Sequence, residues 1–331
     1  MLDSTGSLKA NRSITAKHMV VYRHDKRAGN FGDVHKHIVL LSALSAATAS
    51  ADAASSDEKV LYIETHAASG SYESTSSKAE DMGIGRVLAA AETQAIKSPD
   101  IQAYANTIQR YRNGAAKSSN RYPGSPLLAL SCLQPGRDEA VYAEHQQEVA
   151  NELSGVLRAY KEDNNKSVHT SVEVGDGYAA LRKKLAGLAN NDEPAGSTVP
   201  FVLIDPPFTD LRSELNDIPT ATRKCLDASL ASIVLVWYPI KQGCDHALRS
   251  WKEDMASVVR GKPHRLLFGE IWTSSRTNKS SMAKEGALVG SGMALIHPHG
   301  HVADTFMPLT KELYDVLASD TESGSWSVLE C

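Results

Sequence analysis

Short apolar runs, each closed by a polar or turn-forming residue, alternate along this chain with stretches whose apolar positions recur every three to four residues. Residues 60–63 run apolar into Glu64, residues 140–143 into Glu144, and residues 201–204 (Phe-Val-Leu-Ile) into Asp205. Residues 168–174 alternate and end at Gly175-Asp176-Gly177, and further runs cover 233–237, 265–268 and 287–296. Four or five apolar residues rich in β-branching describe strands buried on both faces, as in a parallel sheet. Between them, helical spacing is present over residues 34–44, where Asp33 offers a cap, and over 127–130, 146–161, 178–188 and near 245–259. Repeated strand–helix alternation predicts an α/β fold with a doubly wound, mostly parallel sheet. From residue 72 to about 121 no strand pattern occurs, so this stretch reads as a helical insertion after the first strand. Tyr122-Pro123-Gly124-Ser125-Pro126 is a strong turn, and residues 190–198 read as a loop.

Parallel topology gathers Glu64, Glu144, Asp176 and Asp205 at one edge, where open α/β sheets bind ligands. Acids in that position can accept hydrogen bonds from ribose hydroxyls. The chain lacks GxGxxG and GxxxxGK[ST], which counts against dinucleotide and ATP readings. Asp205-Pro206-Pro207-Phe208 adds more specific chemistry. Two prolines end the ladder and stiffen the turn. The result offers a carboxylate, a prolyl carbonyl and an aromatic face, a set suited to a planar base bearing an amino group. The exocyclic amine of adenine is a poor nucleophile because its lone pair is delocalised into the ring. Hydrogen bonds to Asp205 and to the Pro206 carbonyl would favour a pyramidal nitrogen. Phe208 is expected to stack on the base, which must leave its helix to enter the site. A methyl on a sulfonium needs only in-line approach, so positioning carries most of the catalysis. The plainer alternative is a strand-end turn with a packed phenylalanine.

Charge narrows the partners. The net charge of −4 argues against a uniformly basic coat. Residues 1–37, however, hold seven Lys/Arg against three Asp, so that segment is +4 and the remainder −8. Arg23, Lys26 and Arg27 are therefore candidates for RNA-backbone contact, against a solvated tail as the bland alternative. Residues 1–21 read as a disordered leader, with an organellar presequence as the other option. Residues 22–331 form the domain that carries the site. Four cysteines without CxxC spacing fit reduced thiols and offer no zinc framework. No apolar run approaches the ~20 residues a membrane helix needs.

In order, the separated motifs now match a family. They are Tyr22-Arg23-His24, residues 28–37 (Ala-Gly-Asn-Phe-Gly-Asp-Val-His-Lys-His), Thr65-His66-Ala67, the turn at 122–126, Glu144-His145, Asp176-Gly177, residues 203–208, Trp237-Tyr238-Pro239-Ile240 and Gly290-Ser291-Gly292-Met293. From Tyr22 to about Pro298 the chain resembles the ribosomal RNA adenine-N6 methyltransferases of the RlmJ type, which act on 23S RNA. The resemblance implies a Rossmann-like methyltransferase fold and S-adenosylmethionine (SAM) as methyl donor. It places cofactor contacts on Lys36, His37, His66, Ser125, Glu144, Asp176 and Gly177. It places catalysis on Asp205, with Pro206, Phe208 and Tyr22 supporting the target base and Tyr22 also touching RNA. The implied partner is 23S-type ribosomal RNA before full assembly, met in the cytoplasm by a monomer, with no membrane and no metal.

Three segments depart from the family pattern. The small-residue turn after Glu64 carries Ala68 and Ser69 where glycine-type residues are usual, and Ala68 demands a backbone without positive φ. Phe208 replaces the usual Tyr. The late Asn-Pro-Pro-Trp element appears as His297-Pro298-His299-Gly300. With His301, this loop raises a zinc-site reading, which the lack of a neighbouring acid or thiol opposes. The altered turn and loop keep a rival reading open, an RNA-binding or ribosome-assembly protein with weakened catalysis. A second rival keeps the chemistry and moves the acceptor to DNA adenine.

Overall fold

The computed structural model describes residues 28–53, 58–73, 82–114, 121–189, 197–273, 286–318 and 324–331. The proposed leader and Tyr22, Arg23, Lys26 and Arg27 lie outside these residues. Ten strands and nine helices occur among those described. Five strands make the parallel pairings: β1 (Lys59–Glu64), β4 (Glu139–Glu144), β5 (His169–Val174), β6 (Thr198–Ile204) and β7 (Ile233–Lys241). β8 (Leu266–Trp272), β9 (Leu288–Ile296) and β10 (Ser325–Glu330) add antiparallel pairings, giving the order β10-β8-β9-β7-β6-β1-β4-β5. The mostly parallel, Rossmann-like sheet read from the sequence is therefore present.

Helices cover both faces, as the two-sided apolar strands require. α1 (Phe31–Ala53), α4 (Ser125–Cys132), α5 (Gln147–Asp163) and α9 (Gly300–Leu317) lie on one face, packed on Tyr62, Tyr142, Phe201 and Leu235. α6 (Gly177–Ala189), α7 (Leu211–Ala228) and α8 (Asp245–Val259) cover the other, packed on Ile63, Val202, Ile204 and Val236. Between β1 and α4 stand α2 (Ile84–Glu92) and α3 (Pro99–Asn113), which share a third core with α1 and α9. The sequence reading missed β2 (Ser71–Glu73) and β3 (Arg121–Pro123), three-residue strands that pair antiparallel at the ends of this segment. They are too short to leave a periodic signal. It also missed α9 and β10, and read as loop the His-Pro-His-Gly-His segment whose Gly300 and His301 open α9.

At the start of α1 the cap is Asn30 rather than Asp33. The Asn30 Oδ1 accepts from the amides of Gly32 (2.7 Å) and Asp33 (3.2 Å). Asp33 instead turns back to the Gly29 amide at 3.0 Å and toward Lys36.

The Gly290-Ser291-Gly292 motif has a packing cause. A Cβ on Gly292 would enter the ring of Tyr238 on β7, and one on Gly290 would lie 3.1 Å from Ile240. Tyr238 is fully buried and donates to Glu270 Oε1 at 2.9 Å, so it cannot retreat cheaply. Gly292→Ala should therefore lower the unfolding free energy by about 1–3 kcal/mol, the usual cost of overpacking. Urea denaturation measures this, and a variant as stable as the parent would contradict the packing account.

Candidate active site

Four acids do meet at one sheet edge. Glu64 and Glu144 end β1 and β4, Asp205 follows β6 directly, and Asp176 lies two residues past β5. The N-terminal part of α1 meets them through Lys36, in its second turn, which places Nζ 2.5 Å from Asp205 Oδ2 and 3.2 Å from Asp33 Oδ1. Burial alone would lower the Lys36 pKa, but Asp205 and Asp33 outweigh it and hold the ammonium above the ordinary lysine value. The Lys36 side chain is 6% exposed and that of Asp205 14%, so this pair is shielded yet open to the crevice.

Glu64 is fully buried beside them. Its Oε1 accepts from the Ser125 hydroxyl at 2.5 Å and its Oε2 from the Tyr62 hydroxyl at 2.9 Å. Burial raises its pKa to about 8, against the pull of Ser125, Lys36 and Tyr62. Ser125 is thus brought into the acid edge by the Tyr122–Pro126 turn. His37, the next residue after Lys36, is buried against that same turn, its Nδ1 2.6 Å from the Tyr122 hydroxyl and the two rings stacked.

Glu144 clamps two loops. Oε2 accepts from the Ala68 amide at 3.0 Å and Oε1 from the Gln146 amide at 2.8 Å. Each carboxylate oxygen has two lone pairs, so both keep acceptor capacity. Asp176 is exposed and spends Oδ1 on the Tyr178 amide at 2.8 Å. Gly177 is required by space: a Cβ there would strike the Thr65 carbonyl. His66 stands between these elements, 2.8 Å from the Thr65 hydroxyl and edge-on to Tyr178. Burial lowers its pKa to about 4, so the imidazole is neutral at pH 7.

Two expectations need correction. Ala68 does adopt positive φ, 51°. Its small side chain limits the cost to about 1–2 kcal/mol, and the Glu144 carboxylate holds its amide in place. The altered turn therefore keeps the glycine-like backbone, and the argument it gave for weakened catalysis falls. Phe208 is not a free aromatic face. Its ring is 2% exposed and packs edge-on against Trp237 at 5.7 Å, while Lys241 Nζ donates to its carbonyl at 2.7 Å and holds the residue at φ 48°. Pro206 is buried beside it and Pro207 exposed. Sequence reasoning missed Lys241 and the buried His35, neither of which stands out by spacing.

His297 packs edge-to-face on His264 at 4.7 Å between ring centres. Among the described residues no three His, Cys, Asp or Glu side chains form a group that could hold a metal ion.

The sheet order, with an antiparallel strand inserted beside β7 and an acid row at the carboxyl edge, defines an α/β protein of the Rossmann-like class. Comparison with known proteins makes that specific: the chain belongs to the family described as RsmJ, Ribosomal RNA large subunit methyltransferase D, RlmJ, whose model it matches over residues 57–329. It is 27% identical to Ribosomal RNA large subunit methyltransferase J of Escherichia coli (strain K12) over 228 residues, 67% of this chain and 71% of that one. Against the protein of the same name from Haemophilus influenzae it is 25% identical over 315 residues, 94% and 98% of the two chains. A solved Legionella pneumophila protein shares the fold at a TM-score of 0.70 and 21% identity, covering 91% of this chain and 97% of that one.

The buried His35 gives a pH test. Burial lowers its pKa to about 3, well below the ordinary value of 6.5. Between those values the unfolded chain binds a proton that the folded chain refuses. Stability present above pH 6.5 is therefore lost as pH falls toward 3, by up to ~1.4 kcal/mol per unit for this group. His35→Asn, which does not titrate, should flatten the stability–pH slope by about one proton in urea melts at pH 4–7. An unchanged slope would contradict the assignment.

Proposed function

We propose that this chain transfers a methyl group from SAM to N6 of an adenine in 23S-type ribosomal RNA. The observation that carries the reading is the Asp205 carboxylate at the mouth of the crevice, held through Oδ2 by Lys36. Oδ1 is left to accept a hydrogen from the base amino group, and the Pro206 carbonyl can accept the other. A carboxylate paired with the Lys36 ammonium has only acceptor sites to offer.

The residues fit the methyl donor. Glu144 and Asp176 retain acceptor capacity for ribose hydroxyls at adjacent strand ends, the arrangement nucleoside cofactors use. Gly177 lets the turn after β5 close on Thr65 without a side chain between them. His66, Ser125, His37 and Lys36 complete the set, with Ser125 set against the protonatable Glu64. When bound, SAM supplies an electrophilic methyl on its sulfonium. Asp205 and Pro206 then act by orienting the amine, which makes positioning the main source of rate. Tyr22, Arg23, Lys26 and Arg27 remain the candidates for RNA contact, and a large-subunit RNA substrate sets the work wherever that RNA is assembled. Among the described residues no helix is long and apolar enough to cross a membrane.

Asp205→Ala should lower methyl transfer by about 10²–10³-fold, the loss typical of removing one aimed hydrogen-bonding group. SAM affinity measured by calorimetry should change by less than about threefold. Tritium transfer from SAM to deproteinised ribosomal RNA, with DNA in parallel, reads the first quantity. Undiminished turnover in this variant would remove Asp205 from the chemistry.

A further inference from the structure

We infer that Trp237, rather than Phe208, is the aromatic surface on which the acceptor base stacks, and that Ser291 and His35 fix its plane. The inference rests on the adenine reading above and names the wall of that site. In the Asp205-Pro-Pro-Phe turn the phenyl ring is already spent on the core. The next aromatic outward is Trp237. Ile204 of β6 registers with Val236 of β7, which sets Trp237 level with Asp205 on the neighbouring strand. Lys36 Nζ, in contact with Asp205, lies 5.9 Å from the centre of the indole ring. A base presenting its amino group to Asp205 must therefore lie beside that ring, which is part-exposed.

The indole is also held in a fixed orientation. Its Nε1–H donates to Ser291 Oγ at 2.9 Å, and the same oxygen is 3.0 Å from His35 Nδ1. Both Ser291 and His35 are fully buried, and His35 Nε2 has no partner. A desolvated imidazole nitrogen is a cost to the fold, and what it sustains here is the tether on Trp237. Gly32 supports the same placement from α1, since a Cβ there would sit 3.2 Å from Trp237 Cζ2. Phe208 closes the other side as an edge contact at 65°. The ring is thus held by α1, β9 and the Asp205 turn, and it stays part-exposed beside Asp205. A preset aromatic plane loses no rotamer freedom when the base arrives.

Stacking on an aromatic contributes about 1–3 kcal/mol per base, which corresponds to a change of about 5- to 150-fold. Trp237→Ala should lower kcat/KM for deproteinised large-subunit RNA by that factor, with the Kd for SAM shifted by less than about threefold. Trp237→Phe, which keeps a stackable face, should recover most of the loss. Equal losses in the Ala and Phe variants, or none in the Ala variant, would overturn the inference. A second readout does not need methyl transfer: with S-adenosylhomocysteine bound, adenosine monophosphate should quench the tryptophan emission of the parent and not of Trp237→Phe. Identical quenching in both would overturn it as well. A parent protein inactive on every nucleic acid would sink the methyl-transfer reading alone and leave the quenching experiment to decide this one.

Discussion

A lysine ammonium withdrawn almost wholly from water must be surrounded by negative charge, and around Lys36 that requirement organises the crevice. Asp205 and Asp33 hold it directly and keep it charged. Removing either directly paired carboxylate would weaken the hold on a buried cation, a costly situation compared with breaking a surface pair. The same contact ties α1 to the end of β6. The first turn of α1, with its Asn30 cap and Gly32, is thereby fixed over the carboxyl ends of the strands.

From that constraint the other features follow in order. Parallel strands bring their ends to one edge, where the acids after β1, β4 and β5 take backbone amides or hydroxyls of neighbouring segments and the acid after β6 takes Lys36. Glu144 holds the turn containing Ala68, Asp176 opens α6, and Glu64 takes the Ser125 hydroxyl. Two non-glycine residues accept left-handed backbone here, Ala68 and Phe208. Each is held by a charged side chain, Glu144 at the amide of one and Lys241 at the carbonyl of the other. Strain of this kind persists only where surrounding contacts over-determine it, and such positions gather at functional sites.

Much of this was legible in the chain. Strands buried on both faces announce themselves as unbroken apolar runs, and the acid after each run marks the edge, so Glu64, Glu144, Asp176 and Asp205 could be placed together before any coordinates. Short strands such as β2 and β3 leave no period to detect. Phe208 could not be placed because sequence does not tell whether an aromatic after two prolines faces the core or the cleft. Ala68 misled for a related reason: glycine preference is a tendency, and a single carboxylate contact overrides it. His35 was invisible because a buried histidine on a helix has the same spacing as any other core residue.

The chemistry comes down to the atom that receives the methyl group. Incubating the protein with large-subunit ribosomal RNA and SAM bearing a trideuterated methyl, followed by nucleoside mass spectrometry, tests it most directly. The label is predicted in N6-methyladenosine, at a single site per RNA molecule. Label in another nucleoside, in added DNA or in protein alone, or in nothing at all, would contradict it.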